Sequence, residues 1–144
     1  MTAVHVRVLA GGEHYAIPVD GVLEIAEHSE VSDVPGAPPE VLGVRNLRGQ
    51  VIPVIDLASA LDLQSSSDRE RIVVVEDSGR LAGLAVDGVV DVGALGEATE
   101  EVDSPYLRGA ILVDGSLVGV IDIPALFARV APSGDAVSAP MEAS

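Results

Sequence analysis

An internal duplication constrains this chain more than any other feature of its sequence. Residues 43–57 predict a strand, an Arg-Gly turn and a second strand, and a fainter copy follows at residues 109–123. A second pair of segments, residues 17–25 and 84–92, differs almost entirely by replacements of like for like. We therefore expect two similar halves, in which the repeated residues serve the structure and the residues that break the repeat are free to serve function.

The composition favours β-structure in both halves. Apolar residues make up 48% of the 144 residues but aromatic residues only 2%, so Val, Ile, Leu and Ala must fill the interior. Val and Ile suit pleated, half-buried strands because branching at Cβ restricts χ1. We predict an all-β fold of two half-barrels that pack as one cooperative unit, closed by short helical turns at residues 57–61 and 124–130.

Changes in composition along the chain predict its organisation. Residues 1–131 form one domain, with subdomain one at about 10–66, subdomain two at about 67–122 and the terminal segments completing the barrels. The polar run at residues 64–71 is the natural linker between the halves. Residues 132–144 are small, polar and without periodicity, which predicts a disordered tail.

Charge and residue usage exclude several classes of function. The formal net charge of −15 would repel nucleic-acid phosphates and anionic lipid surfaces. The chain has no cysteine, hence no disulfide framework, thiolate metal site or cysteine nucleophile. It also lacks the apolar core of a signal peptide and any stretch of about 18 apolar residues that would span a membrane. We expect a cytoplasmic protein with no nucleic-acid partner and no direct membrane insertion.

The sequence offers little for catalysis. His5, His14 and His28 are not spaced as a metal motif, and each is best explained as an exposed strand or loop residue. The sequence shows no phosphate loop, nucleophile elbow or paired-metal signature. We predict a protein that is not an enzyme and has no cofactor and no metal.

Two pairs of repeated aspartates have structural explanations. Asp20 and Asp87 each precede a glycine, as a tight turn requires. Asp56 and Asp122 each follow a strand and are placed to cap the helical turn that begins there. We interpret neither pair as catalytic.

The most conspicuous break in the repeat is an arginine at a turn. The second half has the expected Asp114-Gly115, whereas the first half has Arg48-Gly49 at that place. Turn chemistry does not favour arginine there, but five fixed donors suit a partner's carboxylate or carbonyl groups. A solvated loop arginine explains the same residues equally well.

Two duplicated strands provide a complementary apolar feature. If the halves pack about a pseudo-twofold axis, these strands face each other across a shallow groove that suits an amphipathic partner helix. Core packing is the simpler explanation for any single residue. The apolar positions are Val22 and Ile25 in one strand and Val89 and Val92 in the other, bracketing Glu24 and Asp91.

The chain resembles the CheW-like chemotaxis adaptor family in the repeated segments and in the residues around them. The strongest match is residues 43–49 followed by residues 51–57, with support from residues 15–25, 86–89 and 106–109. The likeness spans roughly His5 to Val130. Because no receiver or kinase module is attached, the chain is more similar to the standalone adaptor than to the related regulatory domain of the kinase CheA.

This resemblance implies two SH3-like five-stranded β-barrels around a shared core. It also implies a non-catalytic adaptor that couples a chemoreceptor's cytoplasmic helical hairpin to the regulatory domain of a CheA-type histidine kinase in chemotaxis signal transduction. The kinase would contact the outer ends of both barrels and the receptor the groove between them. By motif position, the groove would include Val22, Glu24, Ile25, Arg48, Gly83, Val89 and Val92, with Ile72 and Val73 as weaker candidates.

Departures from the family pattern leave the partners open. Ala58 follows Asp56-Leu57 where the family often has arginine, and the stretch after Ser29 has little similarity to the family. A CheW-like scaffold of a pilus-motility or other receptor-kinase system is one alternative. An inhibitory decoy and a small-molecule-binding β-barrel protein that uses the groove are two others.

Overall fold

The computed structural model describes residues 3–27, 31–64 and 69–130. Predictions about His28, most of the linker and the tail at 132–144 lie outside these ranges. The strands are β1 (Val4–Ala10), β2 (Glu13–Pro18), β3 (Val22–Glu27), β4 (Val41–Leu47), β5 (Gln50–Asp56), β6 (Arg71–Asp77), β7 (Arg80–Val86), β8 (Gly88–Ala94), β9 (Leu107–Val113) and β10 (Ser116–Ile121). The helices are α1 (Leu57–Ala60) and α2 (Ile123–Val130).

The strands form two five-stranded sheets, and the predicted all-β fold is confirmed. The first barrel has the strand order β3-β6-β7-β5-β4, and the second barrel has the order β8-β1-β2-β10-β9. Each barrel therefore takes strands from both sequence repeats: β6 and β7 complete the first, while β1 and β2 complete the second. The predicted subdomain boundaries, about 10–66 and about 67–122, follow the sequence repeats, whereas each sheet combines strands from both repeats.

One stretch of the backbone differs from what the sequence suggests, since the apolar run and the Asp20-Gly21 pair predict a strand from Val19 to Ala26 entered through a hairpin turn. Val19–Gly21 forms a 3-10 turn, closed by a hydrogen bond from the Val22 amide to the Val19 carbonyl, and β3 starts only at Val22. Asp20-Gly21 thus enters β3 through this turn and not through a hairpin. The preceding Pro18, at φ −57°, ends β2 in a conformation that allows the turn to begin.

Strand β6 shows how the two barrels share a core. Ile72 and Val74 pack inside the first barrel, while Val73 and Val75 point the other way, into a cluster that joins both sheets. All four are at most 2% exposed, so this strand is apolar on both faces. The second barrel contributes Val6, Val8 and Ile17 from β1 and β2 to the shared cluster, and α2 covers it with Leu126 and Phe127.

A repeated glycine lets a loop cover one edge of each barrel. Ser32 bridges to Val44 on β4, and Glu100 bridges to Ala110 on β9. A β-carbon added at Gly43 would collide with the Ser32 carbonyl, and one added at Gly109 would lie 2.8 Å from the Glu100 carbonyl oxygen. The repeat keeps these glycines for close backbone approach. With β4 and β9 covered, β3 and β8 are the edges that have no second strand partner within the described ranges.

The two repeated aspartates before the helices differ in their contacts. Asp122 Oδ1 accepts a hydrogen bond from the Ala125 amide at 3.1 Å, which confirms its predicted role as a cap of α2. The Asp56 carboxylate instead accepts a hydrogen bond from Ser59 Oγ at 2.8 Å and lies 3.4 Å from Nε of Arg69. Asp56 thus fixes α1 through side chains.

Arg129 on α2 ties the two repeats together. Its Nη1 donates to the Ala60 carbonyl at 2.9 Å, Nη2 lies 3.0 Å from Asp62 Oδ1, and the guanidinium stacks over the Tyr106 ring at 5.1 Å. The hydrogen bond from Arg129 lowers the pKa of Asp62. In the described part of the chain, neither helix has the length and apolar character needed to cross a membrane.

Candidate partner-binding groove

The two uncovered edge strands flank a groove between the barrels. Its volume is about 450 Å³, and it is open to solvent. We call it the inter-barrel groove; Ile25 lines it from β3 and Val89 from β8. These two predicted residues come from different barrels, so the sheet topology brings them together. Glu70, Arg71 and Gly88 line it as well.

The apolar residues of the two edge strands are only partly covered. Val22, Ile25 and Val89 are half-buried and pack against the shared core. Val92 lies farther along β8, opposite Val6, and is 54% exposed. An edge strand has one covered side, so its apolar side chains reach the core and still present atoms to the outside. The edge strands therefore offer apolar side chains to a partner without disturbing the core, beside a groove whose own lining is more polar than apolar.

Arg48 and Asp114 occupy equivalent hairpin tips with the same backbone conformation. Arg48 has φ 52° and is followed by Gly49 at φ 86°, while Asp114 has φ 48° and is followed by Gly115 at φ 82°. Asn46 supports the first turn by accepting a hydrogen bond from the Gly49 amide at 2.9 Å. The arginine therefore changes the chemistry of the hairpin tip while leaving the turn itself unchanged.

Arg48 contacts another of the predicted residues. Its Nη2 lies 3.0 Å from Glu24 Oε1 on β3, with the arginine side chain 79% exposed. Nearby, Arg45 Nη1 donates to the Glu27 carbonyl at 2.9 Å. Both contacts join β4 and its hairpin to β3, so they close the first barrel with side chains. An ion pair exposed to this degree contributes at most about 1 kcal/mol to stability.

Arg48 and the groove lie on opposite sides of β3. Glu24 and Ile25 are consecutive in the strand, so their side chains point to opposite faces. Ile25 lines the groove, whereas Glu24 carries Arg48 on the other face. The structure thus brings the predicted residues together as two groups around one open edge strand.

Three of the predicted groove residues lie beneath the surface. Ile72 is 1% exposed, Val73 is fully buried and Gly83 is buried next to Ile72. Because β6 and the central part of β7 are covered on both faces, these residues present no surface to a partner. Ile72 and Val73 support β3 from the neighbouring strand and Gly83 supports β6, so the expectation that these three residues contact a partner is corrected.

The groove residues that sequence reasoning missed are polar or small. Glu70 and Arg71 reach the groove because Arg71 pairs with Glu27 across β6 and β3, and Gly88 reaches it because β8 is the edge of the second barrel. The pairing of β3 with β6 and the pairing of β8 with β1 each join segments far apart in the chain. In the sequence Glu70 and Arg71 fall in the polar run interpreted as the linker and Gly88 falls in the Asp87-Gly88 turn, so no local pattern placed them at the groove.

The described residues do not assemble a catalytic or metal-binding arrangement in the groove. No group of three or more His, Asp or Glu side chains that would hold a metal ion occurs in the described ranges. Asp87 accepts a hydrogen bond from the Gly11 amide at 3.1 Å and serves a turn. The prediction that the histidines are exposed is wrong for the two that the structure describes, because His14 is half-buried on β2 and His5 is 4% exposed. The groove offers apolar contact and ion pairing.

Comparisons with known proteins match this architecture. The sequence model of the CheW-like domain family matches residues 5–131. The chain is 29% identical to a probable chemotaxis protein CheW from Rhizobium etli, covering 83% of both chains, and 32% identical to chemotaxis protein CheW from Treponema pallidum, covering 81% of this chain and 77% of that one. It is also 32% identical to protein PilI from Pseudomonas aeruginosa over 70% of this chain and 58% of that protein. The crystal structure of scaffolding protein TtCheW from Thermoanaerobacter tengcongensis superposes with a TM-score of 0.79 and 29% identity, covering 88% of both chains.

Proposed function

The chain belongs to the CheW-like domain family, and from that premise we propose that it is the adaptor that couples a chemoreceptor's cytoplasmic tip to a CheA-type histidine kinase in chemotaxis. The observation that carries the proposal is the family match over residues 5–131, together with the likeness to a solved scaffolding protein over 88% of both chains. We propose that the protein acts in the cytoplasm and is non-catalytic. Its contribution to signalling is to hold two partners in a fixed geometry.

The inter-barrel groove is the proposed receptor site. A receptor tip that is a helical hairpin presents an amphipathic helix, and such a helix docks its apolar face into an apolar groove. Ile25 and Val89 supply apolar contacts from both barrels, Glu70 and Arg71 add polar contacts, and Val92 extends the apolar contacts along β8. The uncovered backbone edges of β3 and β8 lie alongside.

Arg48 is the proposed polar anchor of the same interaction. Its guanidinium is 79% exposed, so it reaches a partner carboxylate at little desolvation cost. Glu24 is 25% exposed and its Oε1 is covered, so Arg48 is proposed to keep this ion pair and to use its remaining guanidinium donors for the receptor.

The kinase is proposed to contact the outer tips of the barrels. Leu112 and Leu117 flank the hairpin turn of the second barrel and are 59% and 57% exposed, and Val51 beside the turn of the first barrel is 38% exposed. Exposed leucines of this kind on a small acidic protein suit the apolar centre of a protein interface. At the second barrel the proposed kinase surface is therefore separate from the receptor site, whereas at the first barrel Val51 lies next to the Arg48 turn and the two proposed surfaces adjoin.

Reconstitution with a CheA-type kinase and its chemoreceptor tests the proposal. Kinase autophosphorylation is measured with and without this protein, and receptor binding is measured by pull-down. We expect the wild-type protein to stimulate receptor-dependent phosphorylation. Suppression of phosphorylation would identify an inhibitory decoy and contradict the adaptor role.

Two variants and one control connect the activity to the groove. Arg48→Ala and Val92→Asp are expected to weaken receptor binding at least about fivefold, which is the effect of losing an interface residue worth more than about 1 kcal/mol. Asp114→Ala changes the equivalent hairpin tip and should leave receptor binding intact. Val22 is a poorer choice than Val92 because it packs against the shared core. Equal receptor binding by all four proteins would refute the site.

A CheW-like scaffold of another receptor-kinase system is the second candidate. The relative from Pseudomonas aeruginosa named protein PilI favours it, because that protein is as similar to this chain as some relatives named as chemotaxis proteins. The two candidates use the same fold and differ in their partners. Reconstitution with receptor and kinase pairs from both kinds of system distinguishes them by which pair is stimulated.

A further inference from the structure

Side chains fasten the uncovered edge strand of the first barrel. Arg48 at the hairpin tip pairs with Glu24 on β3, with 3.0 Å between Nη2 and Oε1. Arg45 on β4 reaches the same strand, since its Nη1 donates to the Glu27 carbonyl at 2.9 Å. Because β3 and β4 lie at opposite ends of the strand order and share no backbone ladder, these two contacts close the seam between them.

The second barrel has different chemistry at the equivalent seam, between β8 and β9. The repeat pairs Glu24 with Asp91 and Arg48 with Asp114, so an acid and a base are replaced by two acids, which form no ion pair with each other. The repeat also places Ile111 where the first barrel has its second arginine, and an isoleucine side chain has no donor. Within the described ranges, no side-chain hydrogen bond or ion pair joins β8 to β9.

β8 is also held more weakly by its other contacts. Four of its seven residues are exposed, against two of six in β3. β8 packs Val89 against the shared core, whereas β3 packs both Val22 and Ile25 there. Asp91 lies opposite Arg7 in the register of β8 and β1, but these two side chains form no ion pair within 4.0 Å. An edge strand with few buried contacts and no side-chain lock opens at a low free energy.

We propose that β8 opens locally from the second barrel in the native protein, while β3 stays fastened to the first barrel. Opening separates β8 from β1 and exposes little apolar surface, so it does not require the shared core to unfold. Both strands flank the inter-barrel groove, which makes β8 its movable wall and β3 its fixed wall. The inference concerns the free protein and does not depend on the proposed function.

Native-state hydrogen exchange of the ¹⁵N-labelled full chain compares the two edge strands in one sample. The β8 amides that bond to β1 are compared with the β3 amides that bond to β6, after correction for intrinsic exchange rates. We expect protection factors at least about fivefold lower in β8, which is the effect of one side-chain hydrogen bond. Since local opening exposes little surface, exchange in β8 should also respond less to added urea than exchange in β6.

Transplanting the ion pair of the first barrel tests the cause. Asp91→Glu combined with Asp114→Arg should raise the protection of β8 about two- to fivefold and leave β3 unchanged. Asp91→Gln combined with Asp114→Arg is the matched control, because glutamine has the size of glutamate but not its charge, and it should not raise the protection. Both positions are exposed, so neither pair of substitutions disturbs the core. Equal protection of β8 and β3 in the wild type, or equal protection of β8 in the Glu and Gln variants, would overturn the proposal.

Discussion

Gly83→Ala should destabilise the fold through one identifiable contact. Gly83 lies in β7 and pairs with Val74 and Val54 in the neighbouring strands. A β-carbon added there would lie 2.6 Å from Cγ2 of Ile72. That methyl is a branch on the β-carbon of a residue that is 1% exposed, so it has little freedom to move away.

The expected loss is the difference between two opposing effects. Overpacking a filled core costs about 1–3 kcal/mol. Replacing glycine by alanine in a strand restores about 0.5–1 kcal/mol by restricting the unfolded chain. The free energy of unfolding should therefore fall by about 1.3 kcal/mol at the middle of these ranges and by up to about 2.5 kcal/mol. Gly93→Ala in β8 is the matched control, because a β-carbon there meets nothing within 4 Å, and it should be neutral or slightly stabilising.

A double-mutant cycle in urea identifies the contact. Ile72→Leu removes the Cγ2 branch while keeping the volume, and alone it costs less than about 1.5 kcal/mol. In its presence, Gly83→Ala should lose about 1 kcal/mol less than it does in the wild type. Two results would refute the assignment of Gly83 and Ile72 to the core. One is that the effects of the two substitutions on the free energy of unfolding simply add, while its dependence on urea concentration is unchanged. The other is that Gly83→Ala is as stable as Gly93→Ala.

Three further predictions concern stability. Arg129→Ala should lower the free energy of unfolding by about 1–3 kcal/mol in urea, since it removes the hydrogen bond to Ala60 and the stacking on Tyr106; a neutral result would show that α2 is held by apolar contacts alone. Gly109→Ala should cost about 1–3 kcal/mol because the added carbon meets the Glu100 carbonyl, and an unchanged melting temperature would contradict the close approach. The pKa of His5 is lowered on folding from its ordinary 6.5, so the unfolded chain binds the proton first and this contribution to stability, full above pH 6.5, declines as the pH falls below it. From pH 8 to pH 5 the free energy of unfolding of the wild type should therefore fall relative to that of His5→Gln. The same pH dependence of the melting temperature in both proteins would contradict this.

The repeat predicted the elements of the fold because it reflects local constraints. Alternating apolar residues, Gly pairs at turns and Asp before α2 each act within a few residues, and the structure has strands, turns and a cap at those places. The exchange of strands between the barrels was not predicted. It depends on the parallel pairing of β2 with β10 and of β5 with β7, which join residues far apart in sequence.

The same difference between local and distant information applies to the candidate site. Ile25 and Val89 were identified because the repeat pairs Val22 with Val89 and Ile25 with Val92, and of these four residues Ile25 and Val89 line one groove. The contact of Arg48 with Glu24 was not predicted, because it depends on a barrel closing through side chains. Ile72 and Val73 were included by motif position alone, which does not distinguish a residue at a surface from one a strand away from it.

Mapping the receptor contact on the labelled protein tests the central claim most directly. The ¹⁵N-labelled chain is titrated with a soluble helical hairpin from the tip of a chemoreceptor, and amide shifts are assigned along the chain. We predict that the shifts concentrate in β3 and β8 around Ile25 and Val89 and at the Arg48 turn, while the Leu112 and Leu117 hairpin stays unchanged. Shifts at that hairpin with an undisturbed groove would contradict the account.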